Sequence, residues 1–330
     1  MTMSTVLIKR DFEIISMTKM LNFLSLIFTL FLAQRTLADD LKPLFPSQVL
    51  SISSDLRVAT NALLADKSQR RLSLVDFRVL TDGVVKDFYN IDIGKNNGDK
   101  RKKNDARTPE GIYILLEKKV PPEIPFQTYG SMAFTTNYPN YFDKFENKTG
   151  SGIWLHSVPD KVPLTRGSRG CVVLRNDDIK KIEPTITPKR TVLLIDSKID
   201  WVPAEQYAAT KTEVMKWLEG WRTSWENQDI DKYIQNYSDD FYAPPYTKKT
   251  WYTHKSKLKE KYSYVKVKIS EPNIFQAKSQ YYVFQFVQNY ESDGHKDVGI
   301  KTLYVLKEDG ALRITREDWS PLEETTNVSN

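Results

Sequence analysis

The pattern of apolar residues changes character once along this chain, across "DWVPAEQ" at residues 200–206. Upstream of it, "NALLAD", "RRLSLVDF", "GVVKDFYNIDIG" and "GIYILLEKKV" alternate or form short β-branched runs between turn signals such as "DKSQ" and "TDG". That pattern predicts strands. "IKKIEPTITPKRTVLLID" predicts a short helix, a proline-marked break and one more apolar strand. Downstream, Val214, Trp217, Leu218, Trp221 and Trp225 recur at helical spacing and give one aromatic face. Long strands follow at "YSYVKVKI", "QYYVFQFVQNYES", "VGIKTLYVLKEDG" and "ALRITREDW". A strand-rich half followed by one or two helices and a curved antiparallel sheet is an α+β pattern, and 330 residues provide a core for each half.

The expected boundaries are a leader at 1–38, an N-terminal extension at 39–57, a first domain at 58–200, a linker at 201–206, a second domain at 207–322 and a polar tail at 323–330. The leader rests on the apolar stretch Leu21–Ala33, which is short for a membrane span. Lys19 precedes the stretch, and "TLA" stands before Asp39 as in a signal-peptidase site. An exported protein cleaved near Ala38 is expected, with Met17 or Met20 as alternative starts and an uncleaved anchor as the competing reading. The net charge of +6 falls to +4 without this segment, which carries four basic and two acidic residues. So mild an excess makes no case for nucleic acid.

Export sharpens the meaning of the lone cysteine, Cys171. Oxidising compartments favour paired thiols. An unpaired one is either buried and inert or kept for chemistry. Its surroundings, "GIWLHSVPDKVPLTRGSRGCVVLRN", place His156 at the exit of an apolar strand and Cys171 after a glycine-bounded turn. A thiol attacks as thiolate and needs a proton acceptor or a nearby positive charge. His156 offers the first, and Arg166 and Arg169 the second. Backbone N–H groups at Gly170 and Cys171 are candidates to meet a developing oxyanion. The polar, basic stretch 95–108, "KNNGDKRKKNDART", reads as a solvated loop, with guidance of an anionic substrate as the alternative.

"TPEGIYIL" at 108–115, "GSGIWLH" at 150–156 and "SRGCVVLRNDD" at 168–178 resemble, in that order, the signature segments of the L,D-transpeptidase (YkuD-like) catalytic domain. The likeness spans roughly 58–200. It implies that Cys171 is the nucleophile, forming a thioester with a peptidoglycan stem peptide, and that His156 is its base. Gly170, with the backbone around Ser168 and Arg169, would form the orienting turn. Two positions depart from the commoner family pattern. Arg169 stands where a His often precedes the Gly, and Val173 stands where an Arg often follows the Cys, with Arg175 and Asn176 further on. A carboxylate-binding guanidinium would then be supplied by Arg169 or Arg166.

The Trp-rich helix, "FVQNYES" and "GIKTLYVLKEDGALRITREDW" are similar to an NTF2-like domain, an α+β cone with a curved antiparallel sheet. YkuD-like plus NTF2-like is the arrangement of the cell-shape-determining L,D-carboxypeptidases of helical and curved bacteria. The second domain carries no cysteine, and its His254 and His295 are 41 residues apart. It is read as a binding or orienting module. The aromatic stripe is assigned to the core, and so are Tyr282, Tyr290 and Trp319, with pocket lining as the alternative for these three.

The resemblance implies an exported carboxypeptidase that removes terminal D-Ala from tetrapeptide stems. A transpeptidase using an amine acceptor is the alternative, and a non-catalytic wall-binding protein the alternative of another class. No cofactor and no metal are expected, since Cys171 and His156 lack further ligands at zinc spacing. The absence of G-x-S-x-G makes a serine hydrolase a poor fit. The expected partner is peptidoglycan, with no nucleic acid and no membrane contact after leader cleavage; homo-oligomerisation is left open.

Overall fold

The computed structural model describes residues 43–83 and 87–322. The expected leader and polar tail lie outside the described residues, and the described residues from Leu44 on fall in one compact unit. The first elements are β1 (Leu44–Pro46), β2 (Val49–Ser51), β3 (Asn61–Asp66), β4 (Arg71–Asp76), α1 (Phe77–Asp82) and β5 (Phe88–Asn90). Next come β6 (Gly111–Lys119), α2 (Phe126–Tyr129), β7 (Ala133–Thr136), α3 (Tyr141–Phe145), β8 (Trp154–Val158), β9 (Val172–Arg175), α4 (Asn176–Ile182) and β10 (Val192–Asp196). β11 (Trp201–Pro203), α5 (Ala204–Glu226), α6 (Ile230–Ile234), β12 (Tyr242–Ala243), β13 (Tyr246–Thr247) and α7 (Lys248–Lys261) follow. The chain closes with β14 (Val265–Ile269), β15 (Asn273–Ala277), β16 (Tyr281–Ser292), β17 (Lys296–Glu308) and β18 (Ala311–Pro321).

The first half builds an eight-stranded mixed sheet in the order β5-β4-β3-β10-β6-β7-β8-β9. Its central strands β3 and β10 pair in parallel and are buried on both faces, which is why "NALLAD" and "VLLID" read as near-continuous apolar runs. α4 packs on the sheet through Ile179 and Ile182. Asp177 and Asp178 lie in its first turn and Lys180 and Lys181 in its last, matching the helix dipole.

The second half is a six-stranded antiparallel sheet in which β16 bends between two partners. Its first part, Tyr281–Gln285, pairs with β15, and its last, Gln288–Ser292, with β14. One strand that serves two neighbours must curve, and α5 fills the concave side. Tyr207, Val214, Leu218, Trp221 and Trp225 of α5 are buried there against Phe284, Phe286 and Leu303. α7, which the sequence reading did not separate, has no fully buried residue and packs on the core through only two partly buried apolar side chains, Trp251 and Leu258. Its start is marked by a capping box between Thr247 and Thr250.

Two expectations need correction. Residues 201–206 are not a free linker: Trp201–Pro203 form β11, paired with β1, and α5 begins at once. The 39–57 extension is not an appendage either, because β2 pairs with β15 and so belongs to the second sheet. Ser53 N–H also donates to the buried Asn273 Oδ1 at 2.7 Å. The halves therefore share an apolar seam in which Val49, Ile52, Leu64, Leu194, Phe275 and Ala277 pack together. Ending the chain at Asp200 would strip Phe275 and Ala277 from it and leave β2 unpaired. Such a truncation should be insoluble or lack a cooperative thermal transition. Phe275→Ala in the full chain should cost about 3–5 kcal/mol by denaturant unfolding. A soluble, cooperatively melting 1–200 fragment would contradict the shared seam.

Candidate active site

β8 and β9 lie side by side and parallel, with Leu155 opposite Val172 and His156 opposite Val173. Alternation sends Leu155, Val172 and Leu174 into the apolar core. It leaves His156 and Cys171, one residue upstream of β9, on the other face of neighbouring strands. Extending the β8–β9 register by one residue makes them diagonal neighbours although fifteen positions separate them in sequence, and Cys171 Sγ donates to Gly152 O at 3.5 Å.

The turn before Cys171 is held by a strand-like segment at 92–95. Asp92 exchanges both backbone hydrogen bonds with Val173 at 2.8 and 2.9 Å, Ser168 N–H donates to Ile93 O at 2.7 Å, and Lys95 N–H to Ser168 O at 3.0 Å. The buried Asp92 carboxylate accepts from Gly167 N–H at 2.7 Å and from the Arg70 guanidinium at 3.1 Å. Ser168 Oγ accepts from Gly170 N–H at 2.9 Å and donates to Cys171 O at 2.8 Å. The expected oxyanion role of Gly170 N–H is thereby corrected, since that donor is already engaged in the turn. Glycine is required at 170 for another reason: φ is +131°, and a Cβ there would lie 2.6 Å from Arg107 O.

His156 is buried. Its Nδ1 donates to Ser157 O at 2.7 Å, which leaves Nε2 as the ring's acceptor nitrogen, without a hydrogen-bond partner among the described residues. Burial lowers its pKa to about 4, with the Arg166 charge adding to the fall and the Ser157 carbonyl opposing it. Tyr129, which the sequence reading missed, meets its ring edge-on at 5.1 Å. Burial likewise raises the Cys171 thiol, opposed by the Trp154 backbone N–H and by the charges of Arg169 and Lys100. Both shifts favour the uncharged forms, neutral imidazole at His156 and neutral thiol at Cys171.

Of the other residues singled out in sequence, Arg166 and Arg169 are exposed and near enough to act on His156 and Cys171 by charge. Arg175 and Asn176 are both engaged within the protein. Arg175 donates to the carbonyls of Asp160 at 3.2 Å and Val162 at 2.6 Å, bracing the 159–166 loop. Asn176 is buried, accepts from Ser131 N–H at 2.9 Å and donates to Asp160 at 3.3 Å. Both side chains thus brace the chain around Asp160. The 95–108 stretch is also not a solvated loop throughout. Lys100 is buried against Asp105 at 2.7 Å, and Asp105 collects the backbone N–H groups of Arg101, Lys102 and Arg107. Lys67 ties the same loop down through Gly98 O and Thr108 O. Packed this way, the loop forms a wall behind Gly170.

A well-formed cavity of about 460 Å³ lies away from Cys171, in the second half. Trp225, Trp251, Lys255, Tyr290, Lys301 and Trp319 are among its walls. Lys255 Nζ sits 3.9 Å from the Trp225 ring centroid and 4.5 Å from that of Trp251, a cation–π cage. Burial lowers this amine to about 7, with Glu317 opposing and Lys301 adding. Trp251 Nε1 and Tyr290 OH are buried there without hydrogen-bond partners among the described residues. Tyr290 and Trp319 are thus pocket residues, a correction. Tyr282 is core, and its hydroxyl accepts from Gln276 at 2.8 Å.

Residues 60–195 match the family model of the L,D-transpeptidase catalytic domain, and residues 213–318 that of the Cds6 C-terminal NTF2-like domain. The solved structure of Bd1075 from Bdellovibrio bacteriovorus is 45% identical, with 85% of this chain and 99% of that one covered and a TM-score of 0.78. The chain belongs to the L,D-transpeptidase family. The helical cell shape determining protein Pgp2 from Campylobacter jejuni is 26% identical, with 83% and 95% covered and a TM-score of 0.63. Comparison with curated proteins gives no significant match. The family acts on peptidoglycan, so this is a peptidoglycan-acting enzyme of the L,D-transpeptidase family with an NTF2-like second domain.

Because thiol and imidazole rest neutral, Cys171 should react with iodoacetamide with a midpoint above its ordinary value of 9.0; a midpoint near 6 would instead mean a standing ion pair. Protonation of the unfolded chain at His156 begins near 6.5, whereas the folded chain resists it to about 4. Stability is then full above 6.5 and falls as pH drops towards 4, by on the order of 3 kcal/mol. His156→Gln should flatten that slope in urea titrations at pH 7, 5.5 and 4.

Proposed function

We propose that this chain is an exported cysteine L,D-carboxypeptidase that trims tetrapeptide stems of peptidoglycan to tripeptides. The observation that carries the reading is the placement of His156, with Nε2 free, on the same face of adjacent parallel strands as the lone thiol. Cys171 Sγ attacks the carbonyl carbon of the amide between diaminopimelate and D-Ala while His156 Nε2 takes the thiol proton. The amide C–N bond breaks, and His156 returns that proton to the departing D-Ala amine. Water then attacks the thioester with His156 again as base. A tripeptide carboxylate and the free thiol result, with no net change at either residue.

The two-domain arrangement supports a role in cell shape, because it is shared across most of its length with a protein described as helical cell shape determining. Export to the periplasm rests on the Leu21–Ala33 stretch and "TLA". The second domain's cavity, with aromatic walls and the amines of Lys255 and Lys301, suits docking of a glycan bearing a carboxylate. Muropeptides incubated with the purified protein should lose D-Ala and yield tripeptides by mass spectrometry, and Cys171→Ala should abolish this with unchanged melting. Cross-linked dimers instead would establish the transpeptidase. The inactive variant should still sediment with intact sacculi, and its absence from the pellet would refute docking.

Arg169 is the proposed recogniser of the D-Ala carboxylate. It is exposed beside the thiol, and no side-chain hydrogen bond holds it among the described residues. Arg169→Ala should cost about 1.5–3 kcal/mol in kcat/KM, and much less on a substrate with an amidated terminus. Equal losses on both would place Arg169's action on the thiol or the turn.

A further inference from the structure

The hairpin between β15 and β16 turns through Lys278 and Ser279, both non-glycine residues in the left-handed region at φ +51° and +58°. Such conformations persist where surrounding contacts over-determine them. Here the contacts are to the first domain. Lys278 N–H donates to Asp196 Oδ2 at 3.2 Å, at the end of β10. Lys278 Nζ lies 2.7 Å from Asp99 Oδ2 and 2.9 Å from both oxygens of Glu146. The strained turn thus aims one ammonium of the second domain into a carboxylate cluster of the first.

That cluster is built, not incidental. Lys148, almost fully buried, is shared by Asp99 at 2.9 Å and Asp143 at 3.0 Å, and Tyr113 OH caps Asp143 at 3.2 Å. Arg101 pairs with Glu146 at 2.8 Å. Three carboxylates face three cations, so removing one leaves buried negative charge uncompensated. Burial pushes Asp99 up, but hydrogen bonds from Lys278 and Lys148 outweigh it and hold the carboxyl below its ordinary range.

Asp99 is the point where this cluster meets the catalytic wall. Its Oδ1 accepts Glu110 N–H at 2.8 Å, closing the base of the 95–108 loop. The adjacent Lys100 acts on the Cys171 thiol by charge. The far end of the loop puts Arg107 O against Gly170, where no side chain fits. The path runs from the Lys278–Asp99 ion pair, along the 95–108 loop, to the close approach of Arg107 O to the residue before the thiol.

We propose that Lys278 is a positioning residue for Cys171: by gripping Asp99 and Glu146 it sets the 95–108 loop behind the thiol-bearing turn, so the NTF2-like domain completes the catalytic site without touching substrate. This rests on the reading of Cys171 as nucleophile. It is tested in the full-length protein with Lys278→Met, which keeps the stem and removes the charge, and Lys278→Arg, which restores it. On a soluble tetrapeptide, Lys278→Met should lower kcat by about tenfold to a hundredfold, with KM within about twofold because no substrate contact is lost. Lys278→Arg should recover most of the rate. Because Cys171 is the only cysteine, iodoacetamide capture reports on it alone, and its midpoint should move to higher pH in Lys278→Met.

A folded Lys278→Met protein with reduced melting temperature but wild-type kcat and alkylation profile would overturn the proposal, since Lys278 would then serve stability only. If Lys278→Met does not fold, Glu146→Gln removes one of the two carboxylates gripping Lys278 and should shift kcat and midpoint in the same directions. No shift in a folded Glu146→Gln protein would equally overturn it. Should the wild type release no D-Ala, the carboxypeptidase reading falls, while the alkylation comparison still decides the role of Lys278.

Discussion

Val49, Leu64, Leu194 and Phe275 share one apolar seam, and both sheets of this molecule depend on it. Each sheet presents one face to its own core and another to this common layer, so neither half can bury all its apolar surface alone. An interface of that kind differs from the polar contacts that normally join mobile domains. It makes the spacing between the halves a property of core packing. A charged group of one half can then be aimed at a group of the other with the constancy of a side chain within a single domain.

The thiol-bearing turn is held by polar contacts instead. Asp92, Ser168 and Asp105 each satisfy several backbone donors or acceptors around it, so a segment rich in glycine and arginine takes one shape. The arrangement has a cost: the groups that brace the turn are no longer free for substrate. Gly170 N–H, Arg175 and Asn176 are all accounted for within the protein, which leaves the exposed Arg166 and Arg169 as the cations that face outward from the turn.

Much of this was legible in the chain. The long strands of the second sheet read clearly because one face is buried and the other wet, and the α5 stripe read clearly because five large apolar residues share its inner face. Cys171 and His156 stood out because cysteine and histidine are rare here and sit in recognisable motifs. The misses have a common physical origin. Residue type records what a side chain prefers, whereas position in this fold was often fixed by backbone pairing or by a distant partner. β2 looked like polar lead because it ends in Ser51 and lies between Gln48 and Ser53, yet its backbone completes a sheet. Lys100 looked solvated until Asp105 neutralised it. Asp92 was one acidic residue in "NIDIG", with nothing nearby to say that it would clamp Gly167.

The place of β2 also bears on the order in which the molecule can assemble. Ser53 meets Asn273 across 220 residues of chain, so the contact that ties the extension into the second sheet closes a loop containing the whole first domain. The entropy lost in closing a loop grows with its length, while hairpins such as β16–β17 and β17–β18 close over a few residues. Sheet formation in the second half can therefore begin locally, but its edge stays open until the N-terminal strand docks. An unpaired edge is a template for the wrong strand. During that interval the protein's most exposed liability is a missing neighbour made hundreds of residues earlier.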